Sequence, residues 1–182
     1  MNISFTGAHS TGKSTLLTKC REIYGDRFQY IPEVTRALAR KGLKINSDQA
    51  DNYNMTQMSV INSHVENSLL DNVILDRCII DGVVYTRYLH EQGKVSDWVF
   101  EYACHVHNTI IDRLDIVFFT QPDIPLIDDG QRSTDRGFRD KIIEYFDEHI
   151  NGLSVGGKFK GKIVKLRGTI KERTDLIINT IN

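Results

Sequence analysis

The 182-residue sequence has little of what punctuates or cross-links a chain: 3 Pro, 3 Cys and 1 Trp. Three prolines build no proline-rich linker, so residues 1–182 read as one domain, long enough to bury a core and carry a small lid. Cys20, Cys78 and Cys104 are odd in number and widely spaced. They offer neither a disulfide framework nor a metal-ligand pair, and the expectation is reduced thiols in a cytoplasmic protein. No apolar run approaches the ~18 residues of a membrane span. Met1-Asn2-Ile3-Ser4-Phe5 lacks the basic and apolar regions of a signal peptide. Lys plus Arg number 23 against 24 Asp plus Glu, a net charge of −1, which argues against nucleic acid as the main partner. What remains, 40% hydrophobic and 26% charged residues without repeat or low-complexity stretch, is ordinary globular composition.

Short apolar runs alternate with longer helical periods, a pattern that implies βαβ units around a parallel sheet. Strands are expected at Asn2–Thr6, Phe28–Ile31, Asn72–Leu75, Asp115–Thr120 and Lys162–Leu166. Helices are expected at Lys13–Tyr24, Glu33–Lys41, Ser47–Leu70 (capped by Ser47), Ile79–His90, Asp97–Leu114, Asp135–Ile150 and Thr169–Ile181. Pro122–Thr134 reads as a polar loop and Asn151–Gly161 as a glycine- and lysine-rich turn. Trp98, Phe100 and Tyr102 are expected in the core or a pocket wall. His105 and His107, two apart, would leave a helix on different faces, which argues against a shared metal.

The decisive motif is Gly7-Ala8-His9-Ser10-Thr11-Gly12-Lys13-Ser14-Thr15, which fits G-x-x-x-x-G-K-[ST] between a strand and a helix. Glycines let the backbone wind until successive N–H groups converge on an anion, and the following helix aims its positive end at the same point. Gly7, His9, Ser10, Thr11, Gly12, Lys13, Ser14 and Thr15 are therefore the candidate contacts to ATP. Lys13 would bridge the outer phosphates and is expected to be exposed without ligand. The Ser14 hydroxyl would sit on Mg²⁺.

Further candidates fall at the ends of the other strands, the edge that carries the phosphate loop in a parallel sheet. Asp76, closing Val73-Ile74-Leu75, suits Mg²⁺ coordination or acceptance of a proton. Glu33 and Arg36 follow the second strand, one helical turn apart. Arg77 would hold an acceptor phosphate or brace Glu33, and Asp81 would reach a substrate hydroxyl or pair with Arg77. Asp128-Asp129-Gly130-Gln131-Arg132-Ser133-Thr134-Asp135-Arg136-Gly137-Phe138-Arg139 carries three arginines. It reads as a lid, about 122–139, hinged at Gly130 and Gly137, that brings Arg132 and Arg136 to charge developing on the transferred group. Gly168 and Thr169, after the last strand, are candidates for the adenine-side wall.

Taken together, the loop at Gly7–Thr15, Pro32-Glu33-Val34-Thr35-Arg36, Asp76-Arg77 and Asp128-Asp129-Gly130-Gln131-Arg132-Ser133 resemble the small P-loop kinases. The likeness is to the family of AAA-labelled ATPase/kinase domains that includes nicotinamide riboside kinases, and also to deoxynucleoside and thymidylate kinases. That resemblance implies a three-layer α/β P-loop NTPase fold with a central parallel five-stranded sheet and a small arginine-rich lid. It implies an ATP- and Mg²⁺-dependent phosphotransferase in which Lys13, Glu33, Asp76, Arg132 and Arg136 act on the reacting groups. Ser14 and Asp76 would hold the metal, and Glu33, Arg36, Arg77 and Asp81 would bind a small-molecule acceptor of the nucleoside, nucleotide or ribosyl class. A nucleoside monophosphate kinase, a nicotinamide riboside kinase and a regulatory ATPase without acceptor are the alternatives, with a polynucleotide or modified-base kinase behind them. A monomer or homodimer is expected.

Overall fold

Ile116, Val117, Phe118 and Phe119 are all buried, as a strand covered on both faces requires. They form most of β4 (Ile116–Thr120), which lies in a parallel sheet with β1 (Asn2–Thr6), β2 (Gln29–Ile31), β3 (Val73–Asp76) and β5 (Lys162–Leu166). The strand order is β2-β3-β1-β4-β5. The computed structural model describes residues 1–43, 52–123, 136–157 and 159–182, and of Arg136 the backbone alone.

Side chains of a strand alternate between faces, and here each face gathers its own core. Ile3, Phe5, Ile74, Ile116 and Phe118 pack with Leu16, Leu17 and Cys20 of α1 (Lys13–Tyr24) and with Ile177 and Ile181 of α7 (Ile170–Ile181). Val73, Leu75, Val117 and Phe119 turn the other way. They meet Ile61 of α3 (Tyr53–Ser68), Val83 of α4 (Ile79–Glu91), Val99 of α5 (Asp97–Ile110) and Phe146 of α6 (Arg136–Val155). A smaller cluster, Val34, Leu38 and Val60, seats α2 (Val34–Arg40). The three-layer α/β architecture expected from the sequence is the one observed. β1 sits between β3 and β4, so the order of connections reverses there, and a crevice opens at the carboxyl edge.

Several expectations need correction. Among the described residues the long helix runs Tyr53–Ser68, its first turn capped by Asn52 Oδ1, which accepts from Met55 N at 3.0 Å; Ser47, the expected cap, lies outside the described residues. Helix α6 runs on to Val155, through the first part of the expected turn, because Leu153 is buried and extends the apolar face. Gly137, expected as a hinge, lies within that helix. Trp98 is 55% exposed and stands outside the core clusters of the described residues, although Phe100 and Tyr102 pack partly against the larger core. The three cysteines are free, as expected, and no helix among the described residues is long and apolar enough to cross a membrane.

Two histidines carry a pH dependence. His64 of α3 and His149 of α6 are held at about 4, against an ordinary 6.5, chiefly because burial penalises the imidazolium. His149 Nε2 also lies 3.0 Å from His107 Nε2, where a second positive ring is unwelcome. The unfolded chain takes up these protons near 6.5 and the folded chain only near 4, so their contribution is full above 6.5 and lost as pH falls towards 4. Urea melts should show stability falling between pH 7 and pH 5, by about 2 kcal/mol for each histidine. His149→Gln should remove part of that fall. An unfolding free energy equal at the two pH values would contradict the assignment.

Candidate active site

Residues 7–12 leave β1 at its carboxyl edge and turn directly into α1. The turn needs left-handed backbone at Ser10 (φ 57°) and Gly12 (φ 86°). At Gly7, φ 132°, an added Cβ would lie 2.7 Å from both the carbonyl oxygen and Oγ1 of Thr120, so the loop can press against β4 only as glycine. Gly12 leads into α1 with no side-chain cap, which leaves first-turn N–H groups facing outward. Ser10, Thr11, Gly12, Lys13, Ser14 and Thr15 line one cleft, and Glu33 forms part of its wall. His9 is buried beside it, its ring stacked on Phe138 at 5.5 Å between centroids.

Lys13 differs from expectation: it is 5% exposed, not a solvent-facing residue. Its Nζ donates to Gly7 O at 2.8 Å, Ala8 O at 2.6 Å and Thr11 Oγ1 at 3.2 Å, so the ammonium rests on the carbonyls of its own loop. Burial, followed by the nearby Arg77 guanidinium, brings it down to about 7, against the pull of Asp81, Asp76 and Glu33. A phosphate entering the cleft would exchange those carbonyls for anionic oxygens and favour the charged amine.

Asp76 ends β3 beside the loop. Ser14 Oγ donates to Asp76 Oδ2 at 2.5 Å, while Asp76 Oδ1 is buried without a partner among the described residues. Burial raises the Asp76 carboxyl above its usual range, against the opposing pull of Lys13. Two hard oxygen donors, one with an unsatisfied lone pair, next to a phosphate cradle fit the donor set of a small divalent cation such as Mg²⁺.

Arg77 stands one residue further, at φ 81°, a strained conformation for a residue with a side chain. Its Nε donates to Glu33 Oε1 at 2.8 Å, and its Nη1 donates to Asp81 Oδ1 at 2.7 Å. The guanidinium also lies 5.2 Å over the Tyr85 ring. Glu33 accepts in addition from Thr35 Oγ1 at 2.9 Å and from Arg36 Nε at 3.2 Å. Asp81 Oδ2 accepts from Thr6 Oγ1 and from Cys78 N, closing the first turn of α4. Of the alternatives read for this group, the structure brings Arg77 against Glu33 and Asp81 as a brace. Arg36, its side chain 40% exposed, is the outermost member.

Arg132 lies outside the described residues, as does the part of the lid at 124–135; Arg136 begins α6. Thr169 caps α7, exchanging hydrogen bonds with Glu172, and Gly168 N donates to Asp123 Oδ2 at 2.9 Å. Two supports escaped the sequence reading. Thr120 Oγ1 donates to Thr6 O at 2.9 Å and lies 2.7 Å from Thr11 Oγ1, propping the loop from β4. Arg173 of α7 reaches Thr11 O from beneath. Its signal was a charged residue four positions before Ile177 and eight before Ile181, on the apolar face of its helix.

No curated protein matches the chain. Among solved structures, NadR protein in complex with NR superposes with a TM-score of 0.70 at 22% identity, over 98% of this chain and 50% of that one. The chain thus spans half the length of that NadR protein. A deoxyadenosine kinase from M. mycoides, with products dCMP and a flexible dCDP bound, gives a TM-score of 0.74 at 14% identity, over 100% of this chain and 98% of that one. YorR protein from Bacillus subtilis, in complex with phosphorylated GDP, gives 0.60 at 14% identity, over 100% and 95%. These likenesses establish a fold shared with P-loop kinases, the fold the sequence motifs implied. The AAA domain model matches residues 2–173, from the first strand to the guanidinium beneath the loop, and the chain therefore belongs to the AAA domain family.

Proposed function

We propose that the protein transfers the γ-phosphoryl group of ATP to a hydroxyl of a nucleoside-class or related ribosyl acceptor. The observation that carries this reading is Glu33: a carboxylate on the wall of the phosphate-loop cleft, held in one orientation by a buried guanidinium. The same carboxylate could deprotonate water in an ATPase, so the acceptor dependence of ADP release is what separates the two readings. The nucleoside and nucleotide ligands named for the structural neighbours support the acceptor class.

In this reading the N–H groups of residues 10–15 and the Lys13 ammonium hold the triphosphate. Ser14 and Asp76 hold Mg²⁺, which would neutralise charge on the phosphate oxygens. Glu33 orients the acceptor hydroxyl and takes its proton as the oxygen attacks the γ-phosphorus and the bond to the β-phosphate oxygen breaks, releasing ADP. Arg132 and Arg136 close over the transferring group, and Gly168 and Thr169 flank the adenine. A hydroxyl acceptor is favoured over a monophosphate because Arg77, 7% exposed in its side chain, already serves two carboxylates and has little left to offer a phosphate. Free thiols fit a cytoplasmic enzyme, working as monomer or homodimer.

Lys13→Ala should lower turnover about 10²–10³-fold or more; steady-state activity within tenfold of wild type would contradict the reading. Glu33→Gln can keep the hydrogen bond from Arg77 Nε through its amide oxygen but loses the contact to Arg36 and removes the charge and the proton acceptor. With a nucleoside acceptor it should cut kcat about 10²–10⁴-fold. A nearly neutral effect, with nucleoside monophosphates as the better acceptors, would replace the hydroxyl acceptor by a phosphate. Arg132→Ala should reduce kcat about 10³-fold with ATP affinity nearly unchanged, because its contact strengthens only as charge develops. An effect confined to ATP affinity would make Arg132 a ground-state contact.

A further inference from the structure

The side chain of Arg173 is 0% exposed, and its donors go to backbone carbonyls of three separate segments. Nη1 donates to Thr11 O at 2.8 Å, Nη2 to Gln121 O at 3.0 Å and Nε to Gly168 O at 3.0 Å. Asp123 Oδ2 stands 3.6 Å from Nη2 and balances part of the charge. A guanidinium matched mainly by carbonyls costs more desolvation than the aliphatic residue that would pin α7 to the sheet equally well. What the arginine supplies and an aliphatic residue cannot is control of peptide orientation.

Thr11 C=O and Gly12 N–H belong to the same planar unit. The described residues contain no cis peptide, so this N–H points opposite to the carbonyl. With Thr11 O drawn towards Arg173, the Gly12 N–H is turned the other way. Gly12 lines the phosphate cleft and stands at φ 86°, where the absence of a Cβ would otherwise leave that peptide plane soft. The second and third carbonyls belong to Gln121, just past β4, and Gly168, just past β5. Both flank the crevice at the same edge of the sheet.

We propose that Arg173 is a positioning residue for the phosphate loop: it aims the Gly12 N–H into the cleft and ties that aim to the ends of β4 and β5. Its reach to Gly168 also couples the loop to the turn beside which the adenine would lie. The inference rests on the phosphotransfer reading, and one set of measurements separates the two. Wild type, Arg173→Lys and Arg173→Gln are compared by thermal melting, by calorimetric binding of ATP·Mg and of inorganic tripolyphosphate, and by steady-state kinetics. Lysine keeps the charge but cannot reach three carbonyls at once.

The folded variants should bind both phosphate ligands about tenfold more weakly or worse, with KM for the acceptor unchanged. Arg173→Lys should retain more affinity than Arg173→Gln. A variant with a lowered melting temperature but wild-type affinity for tripolyphosphate would make Arg173 a structural clasp only, and overturn the proposal. Wild-type protein that binds neither ligand would instead overturn the phosphotransfer reading, and this inference with it. Should neither variant fold, hydrogen exchange of the Arg173 Nε–H in wild type decides the matter. Tripolyphosphate should slow it at least tenfold, and an unchanged rate would contradict the role.

Discussion

A guanidinium removed from water must find a partner for its charge and donors, and two arginines satisfying that rule each reach the phosphate loop. Arg77 meets Glu33, Asp81 and, at 3.4 Å, the Gly7 carbonyl, and Arg173 meets the carbonyls of Thr11, Gln121 and Gly168. Neither is cheap to bury, and removal of one partner from a buried ion pair typically costs about 3–5 kcal/mol because a charge is left uncompensated. The site is thereby committed to one arrangement. Glu33 cannot turn away from the cleft without taking from Arg77 one of its two carboxylates, and the loop cannot shift without releasing Arg173.

The same economy of partners explains the state of Lys13. Its ammonium lies on the Gly7 and Ala8 carbonyls, satisfied but barely favoured as a cation, at about 7. Asp76 is in a complementary condition: one oxygen takes the Ser14 hydroxyl, and the other is buried without a partner among the described residues. A charge-deficient cradle and an under-coordinated carboxylate side by side are what a metal-bound polyphosphate would complete. Glu33 on the wall adds a fixed carboxylate to the same cleft.

Much of this could be read in the sequence because it is local. The loop's glycines, Lys13 and Ser14 are contiguous, and Asp76 ends an apolar strand whose direction is fixed by the parallel sheet. The two-faced sheet was legible in the unbroken run Ile116–Phe119. What escaped depends on distant pairings. Arg77 bridging to Glu33 spans 44 positions, and the choice between brace and phosphate receptor turns on a contact that no spacing reveals. Arg173 to Thr11 spans 162 positions. The end of α6 was missed for a different reason: burial of Leu153 carried the helix past Gly152, where local propensity would have stopped it. Trp98 is large and apolar yet exposed, since α5 buries the face that carries Val99, Ala103, Val106 and His107.

The central claim is that the cleft moves a phosphoryl group to an acceptor rather than to water. Its most direct test is ADP formation by the wild-type chain with ATP·Mg, with and without each member of a panel of nucleosides, nucleoside monophosphates and nicotinamide riboside. The phosphorylated acceptor is quantified in parallel. The account predicts ADP release that depends on a hydroxyl acceptor and matches it mole for mole with phosphorylated product. ADP release at the same rate with no acceptor, and no phosphorylated product from any of them, would contradict it.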